Sequence, residues 1–139
     1  MEVNGGIFKH EVLILETHLD LLGHVNNATY LQLFEEARWE LIANRNFGIP
    51  EITKLKIGPV ILECTIRFLK ELKVREKITV TVQTLDYKDK IGHLKQQMIR
   101  PDGAIASEAI FTFALFDLSQ RKLILPTPEW LYALGLSKA

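Results

Sequence analysis

One long helical stripe followed by an unbroken run of strand patterns is the feature that most limits what this chain can become. Tyr30, Leu33, Phe34, Ala37 and Leu41 recur at the three- and four-residue spacing that aligns one face of an α-helix. The segment from Asn27 to about Asn44 is therefore expected to be helical, with Asn26 or Asn27 capping its first turn through a side-chain oxygen. Gly48-Ile49-Pro50 marks the break after it.

Beyond Pro59 the period changes from helix to strand. Val60 to Leu69 partly alternates, with Glu63, Thr65 and Arg67 opposing Cys64, Ile66 and Phe68, and Lys77 to Gln83 alternates sharply between valine or isoleucine and polar residues. Gly92 to Ile99 and Ala104 to Phe116 continue the series, joined by the turn formers Pro101-Asp102-Gly103. Upstream, after the Gly5-Gly6 breaker, Phe8 to Thr17 reads as a strand with apolar residues on both faces. Near the end, Leu123 to Leu125 precedes Pro126-Thr127-Pro128. There Thr127 suits the cap and Pro128 the first position of a short helix from Glu129 to Leu134.

Strand, long helix, then four or more strands lacks the repeated crossovers of a doubly wound fold. The expected architecture is α+β: one domain over residues 1–139, with a strongly bent antiparallel sheet packed on the helix. The sheet face away from the helix needs polar cover or a second copy, so a dimer is expected.

Composition excludes several classes of function. Seventeen basic residues balance seventeen acidic ones, which removes any strong long-range pull toward nucleic acid or anionic membrane. The aromatic residues also lack the interleaved basic pattern of a base-stacking surface. No apolar run approaches the roughly 20 residues of a membrane-spanning helix, and the first six residues lack a signal-peptide pattern; a cytoplasmic protein is expected. The single cysteine, Cys64, cannot form an intramolecular disulfide, and with Leu62, Ile66 and Phe68 nearby it is expected to be a buried structural thiol. Four histidines and one cysteine form no metal-ligand spacing, so neither a metal nor a cofactor is expected.

Chemistry concentrates in Asp20-Leu21-Leu22-Gly23-His24-Val25-Asn26-Asn27. Asp20 precedes a glycine-containing turn, and the helix beginning near Asn27 offers unsatisfied amides at its positive end. A carboxylate and a helix-start amide meeting at one carbonyl can attack it, or activate water to do so, while stabilising the developing oxyanion. With a normal pKa of about 3.9, Asp20 is a weak base suited to an activated acyl group such as a thioester. On local features alone, a loop aspartate is more often simply a turn former.

Asp20, Gly23-His24-Val25-Asn26-Asn27, Tyr30-Leu31, Phe34-Glu35 and Ala37-Arg38, with Ile66-Arg67-Phe68-Leu69-Lys70 downstream, resemble the hotdog-fold thioesterases of the 4-hydroxybenzoyl-CoA thioesterase-like family. The resemblance implies a curved antiparallel sheet wrapped around a long helix, homodimers with active sites at the subunit interface and often tetramers, and acyl-CoA substrates. It assigns Asp20 as nucleophile or general base and the Asn27 amide as the carbonyl-polarising donor. His18 departs from the acidic residue frequent at its place in the motif.

Around that centre, His24 is expected to position Asp20 rather than act as base, and Asn26 to organise the turn as helix cap. Glu35 stands three residues before Arg38, a spacing for a structural ion pair, although some hotdog thioesterases use a helix carboxylate. Tyr30 and Phe34 are candidates for an acyl channel and equally for core packing. Arg67, Lys70, Lys73, Arg75 and Lys77 are candidates for coenzyme A phosphates, diluted by Glu71 and Glu76. His10 and His93 are expected to be ordinary strand histidines. The leading function is acyl-CoA hydrolysis to a carboxylic acid and free coenzyme A; an acyl-carrier-protein thioesterase and a non-enzymatic acyl-thioester binding module are the alternatives.

Overall fold

The computed structural model describes residues 6–136, so Gly5 of the expected breaker lies outside it. The elements in chain order are β1 (Phe8–Leu13), a 3-10 turn (Glu16–His18), α1 (Asn27–Ala43), α2 (Ile49–Leu55), β2 (Ile57–Phe68), β3 (Lys77–Lys88), β4 (Ile91–Ile99), β5 (Ile105–Asp117), β6 (Lys122–Ile124) and α3 (Pro128–Ala133). All strands join one antiparallel sheet in the order β1-β3-β4-β5-β2, with β6 pairing the end of β5. Register shifts between Ile61 and Glu63, Thr84 and Asp86, and Met98 and Ile99 put bulges where a sheet of long strands must bend.

Helix α1 carries the buried stripe Tyr30, Leu33, Phe34, Ala37, Leu41 and Ile42. It lies against Ile78, Val80 and Val82 of β3, Leu94 and Met98 of β4, and Ala109, Phe111 and Phe113 of β5, all within one hydrophobic core. Those strand residues are spaced by two, so the same period sends their neighbours Thr79, Thr81, Gln83, Lys95, Gln97 and Glu108 to the opposite face. There the Gln97 amide donates to Glu108 at 2.7 Å and Thr81 Oγ1 accepts from the Gln97 N–H at 2.9 Å. Of the two covers the sequence allows for this face, the polar one is present.

Three expectations change. Strand β1 ends at Leu13 rather than Thr17, because Ile14 leaves the ladder: its N–H donates to Glu76 O and its carbonyl accepts from Arg75 N. The Gly48-Ile49-Pro50 break does follow α1, but Ile49 and Pro50 also open α2, a helix not expected from the sequence. Pro50 sits in its first turn, where no amide hydrogen is needed, and Glu51 Oε1 accepts from the Gly48 N–H at 2.8 Å. Cys64 is exposed, not buried.

The face assignment for Cys64 nevertheless holds. Residues opposite one another in an antiparallel pair share a face, and Cys64 is opposite Phe111. But β2 is the last strand of the sheet, and α1 covers it only in part. Ile61, Leu62, Phe68 and Leu69 are left substantially exposed along it, Phe68 at 50%. Pro59 is tolerated because only one side of this strand is paired. Among the described residues no helix is long and apolar enough to cross a membrane.

Candidate active site

The turn between β1 and α1 is a small closed hairpin. Leu19 and Val25 form an antiparallel bridge, His18 O accepts from Asn26 N at 3.1 Å, and at the tip Asp20 N donates to His24 O at 2.7 Å. The Asp20 side chain completes the tip: Oδ1 accepts from Leu22 N at 2.9 Å and from His24 N at 3.2 Å. Gly23 takes φ of 78°, a left-handed conformation that a side chain would disfavour. Asp20 thus forms the turn with one oxygen, while the other has no partner among the described residues.

Downstream, the hairpin runs directly into α1. Asn26 is the cap: its Oδ1 accepts from Ala28 N at 2.9 Å and its carbonyl from Thr29 N and Tyr30 N. The Asn27 N–H is then the first-turn donor left without an acceptor among the described residues. It points from the positive end of a 17-residue helix, which favours negative charge beside it.

A groove of about 350 Å³ opens at this helix start, lined by His24, Val25, Asn27, Tyr30, Phe68, Leu69, Lys70 and Glu71. Tyr30 packs edge-on against Phe68 with ring centroids 4.9 Å apart. Burial, and then the charge of Glu71, pushes the Tyr30 hydroxyl above its ordinary pKa. The His24 Nε2 lies 3.8 Å from Glu71 Oε1. Asp20 is exposed and belongs to the rim through its bonds to His24, not to the groove lining.

Farther along α1 a second, apolar cavity of about 100 Å³ is lined by Glu35, Arg38, Trp39, Leu41, Ile42, Pro59, Ile61, Val82, Leu94, Phe113, Trp130 and Leu134. The expected Glu35–Arg38 ion pair does not form at contact distance. Arg38 Nη1 instead donates to Gln96 Oε1 at 2.9 Å, and its guanidinium stacks on Phe111 at 4.4 Å. Gln96, fully buried, passes the link back to the helix by donating to Phe34 O at 3.0 Å. Burial lowers the Arg38 pKa, while the charge of Glu35 acts to raise it. Glu35 therefore lines a pocket and Asp20 does not. But from Asn27 to Glu35 the helix rises about 12 Å, too far for Glu35 and the Asn27 amide to act on one carbonyl.

The remaining predicted residues divide. Tyr30 opens on the groove, whereas Phe34 is fully buried against Phe111 and lines neither opening; its proposed channel role gives way to core packing because the stripe turns it into the sheet. Of the basic candidates, Lys70 reaches the groove. Arg67 is opposite Glu108 on the sheet face away from α1, and Lys73 and Lys77 are exposed outside the groove lining. Arg75 is not free: it holds Glu16 through Nε–Oε2 at 2.9 Å and Nη2–Oε1 at 2.7 Å. Phe68 and Glu71 line the groove without having been candidates for it, and Glu16 was not anticipated as the partner of Arg75. The alternation of β2 already put Phe68 on the helix side; nothing local marks Glu16, whose partner is 59 residues away.

Sequence comparison with known families matches residues 15–134 to the thioesterase-like superfamily. The chain belongs to that superfamily. The long-chain acyl-CoA thioesterase FadM of Escherichia coli (strain K12) is 32% identical over 108 residues, covering 77% of this chain and 81% of FadM. The probable thioesterase YbaW from Escherichia coli superposes with a TM-score of 0.81 at 29% identity, covering 93% of this chain and 97% of that one. The SAV2348 protein from Staphylococcus aureus, solved in complex with CoA, has a TM-score of 0.87 at 20% identity over 97% of this chain and 85% of its own, a likeness of fold. The hotdog arrangement expected from the sequence is thus the fold of this chain.

Proposed function

We propose that this protein hydrolyses acyl-CoA thioesters to a carboxylic acid and free coenzyme A, and that its preferred acyl groups are long aliphatic chains. The observation that carries the hydrolytic reading is the uncommitted Asn27 N–H at the start of α1, in a groove lined also by His24, whose own N–H donates to the Asp20 carboxylate. A thioester carbonyl held at that amide develops its negative charge where the helix field and the donor stabilise it. The free oxygen of Asp20 then either attacks the carbonyl carbon, expelling the coenzyme A thiolate and leaving a mixed anhydride that water hydrolyses to the acid and free Asp20, or takes a proton from a water that attacks the carbonyl, the tetrahedral intermediate then expelling the thiolate.

The acyl-chain reading rests on FadM and on the seam between α1 and β2. From the groove, Phe68, Ile66, Cys64 and Ile61 follow one another on the helix side of β2, opposite Ser107, Ala109, Phe111 and Phe113, and lead to the apolar cavity. Along α1 the distance from Asn27 to Arg38 is about 16 Å, the reach of an extended long tail. The same half-exposed residues lie on an unpaired edge strand of 12 residues, a surface that a second copy would cover by strand pairing. A homodimer closing the seam over the acyl chain, with tetramers as a further assembly, follows from this reading.

The test is thiol release from matched short, medium, long and aromatic acyl-CoAs, together with the same acyl groups on carrier protein. The highest kcat/KM is expected on long-chain acyl-CoA. A clear preference for carrier protein reverses the substrate assignment, and saturable binding without product at any length makes the chain a binding module.

A further inference from the structure

We propose that Arg75 and Glu16 are a positioning pair that sets where the Asp20 carboxylate stands relative to the Asn27 amide, an inference that rests on the hydrolytic reading above. The hairpin carrying Asp20 has two legs. Its downstream leg continues into α1 and is fixed by the Asn26 cap. Its upstream leg is the Glu16–His18 turn, and what that leg is tied to decides where the tip stands.

The tie is the connection between β2 and β3. Arg75 N donates to Ile14 O at 2.7 Å and Ile14 N to Glu76 O at 3.0 Å, so this connection grips the chain just before the turn. The Arg75 guanidinium then holds both oxygens of Glu16 in a two-bond fork, the arrangement that defines direction as well as distance. Glu16 O accepts in turn from Leu19 N at 3.1 Å, and Leu19 bridges to Val25 across the base of the hairpin. On the other leg, Glu71 of the same connection stands beside His24, 3.8 Å away. A single loop therefore brackets the Asp20 tip on both sides.

The pair is exposed, at 61% and 62% of its side-chain surfaces, and such pairs contribute little to global stability. A role in placing a carboxylate is different, because small displacements of a reacting group cost far more in rate than in folding. Arg75 is held at φ of 69°, so glutamine rather than glycine is the informative replacement; it removes the charge without freeing the backbone.

The experiment uses the intact protein with Glu16→Gln, Arg75→Gln, the reversed double variant Glu16→Arg/Arg75→Glu, and Asp20→Asn as reference. Steady-state kinetics on a long-chain acyl-CoA are combined with amide hydrogen exchange at Leu22 and His24, whose N–H groups donate to Asp20 Oδ1. Each single variant is expected to lower kcat about 10-fold with KM within about two-fold. Exchange at both amides should rise at least about five-fold, and the reversed pair should recover most of kcat. Unchanged exchange in both single variants overturns the proposal whatever the activity, as does faster exchange with unchanged kcat. A raised KM in Arg75→Gln alone overturns it in favour of a phosphate contact, and a reversed pair no better than the single variants also counts against it. Full turnover by Asp20→Asn removes the hydrolytic reading itself, and the positioning role falls with it.

Discussion

Two carboxylates bracket the first half of α1: Asp20 stands before the helix, ahead of the free Asn27 amide, and Glu35 lies about two turns along it, near Arg38. The surroundings differ in every respect that matters for hydrolysis. Asp20 is on an exposed hairpin whose backbone donors hold one oxygen and leave the other open. Glu35 lines a small apolar cavity in which Arg38 is already engaged by Gln96 and by the Phe111 ring. A coenzyme A thioester can approach the first from solvent. The second is a small, mostly apolar cavity, which suits a tail better than a reacting carbonyl. A carboxylate in a pocket is thus a weaker sign of chemistry than a carboxylate whose neighbouring donor is still free.

The sharpest way to break this contrast is Asp20→Asn. The asparagine oxygen can still accept from Leu22 and His24, so the turn survives while the charge is lost, and kcat should fall by at least about 100-fold. Normal turnover by that folded variant would move the chemistry elsewhere, with Glu35 the first place to look. Next in size is Arg38→Met, which strands the buried Gln96 carbonyl. Thermal or denaturant unfolding should show a loss of about 1–3 kcal/mol, and adding Gln96→Leu should recover part of it; no loss would mean that Arg38 is not a structural member of the cavity wall.

Filling the cavity tests its role as a tail site. Ile61 lines it and is 42% exposed, so Ile61→Trp can narrow it without crowding the core. The expected result is about a 10-fold fall in kcat/KM on long acyl-CoA, with short-chain turnover little changed. An equal loss at all lengths would place the tail elsewhere. Smallest of all should be Glu35→Gln, within about three-fold in kcat on short acyl-CoA. If that loss instead rivals Asp20→Asn, the ranking of the two carboxylates is inverted.

Much of this was legible in residue order. The stripe from Tyr30 to Leu41 needed only the helical period, and the four long strands only alternation, because each is a local pattern repeated over many residues. Asn26 as cap and Thr127 with Pro128 at the last helix were readable for the same reason. Helix α2 was missed because a proline in the first turn of a helix has the same local signature as a proline that ends one. Cys64 shows a different limit: its face was correctly inferred, but whether a face is covered depends on strand order, and β2 is an edge strand that α1 covers only in part.

What the sequence by itself determined is the order of elements, the core stripe and the turn that presents a carboxylate next to a helix start, since all of these arise from neighbours along the chain. Tertiary structure alone decided that Arg38 turns from Glu35 to Gln96 and that Arg75 holds Glu16 rather than standing open to a phosphate. Each of those outcomes depends on which groups from distant parts of the chain arrive first at a given donor or charge. Hydrogen-bonding capacity and space are finite, and only the packed fold allocates them.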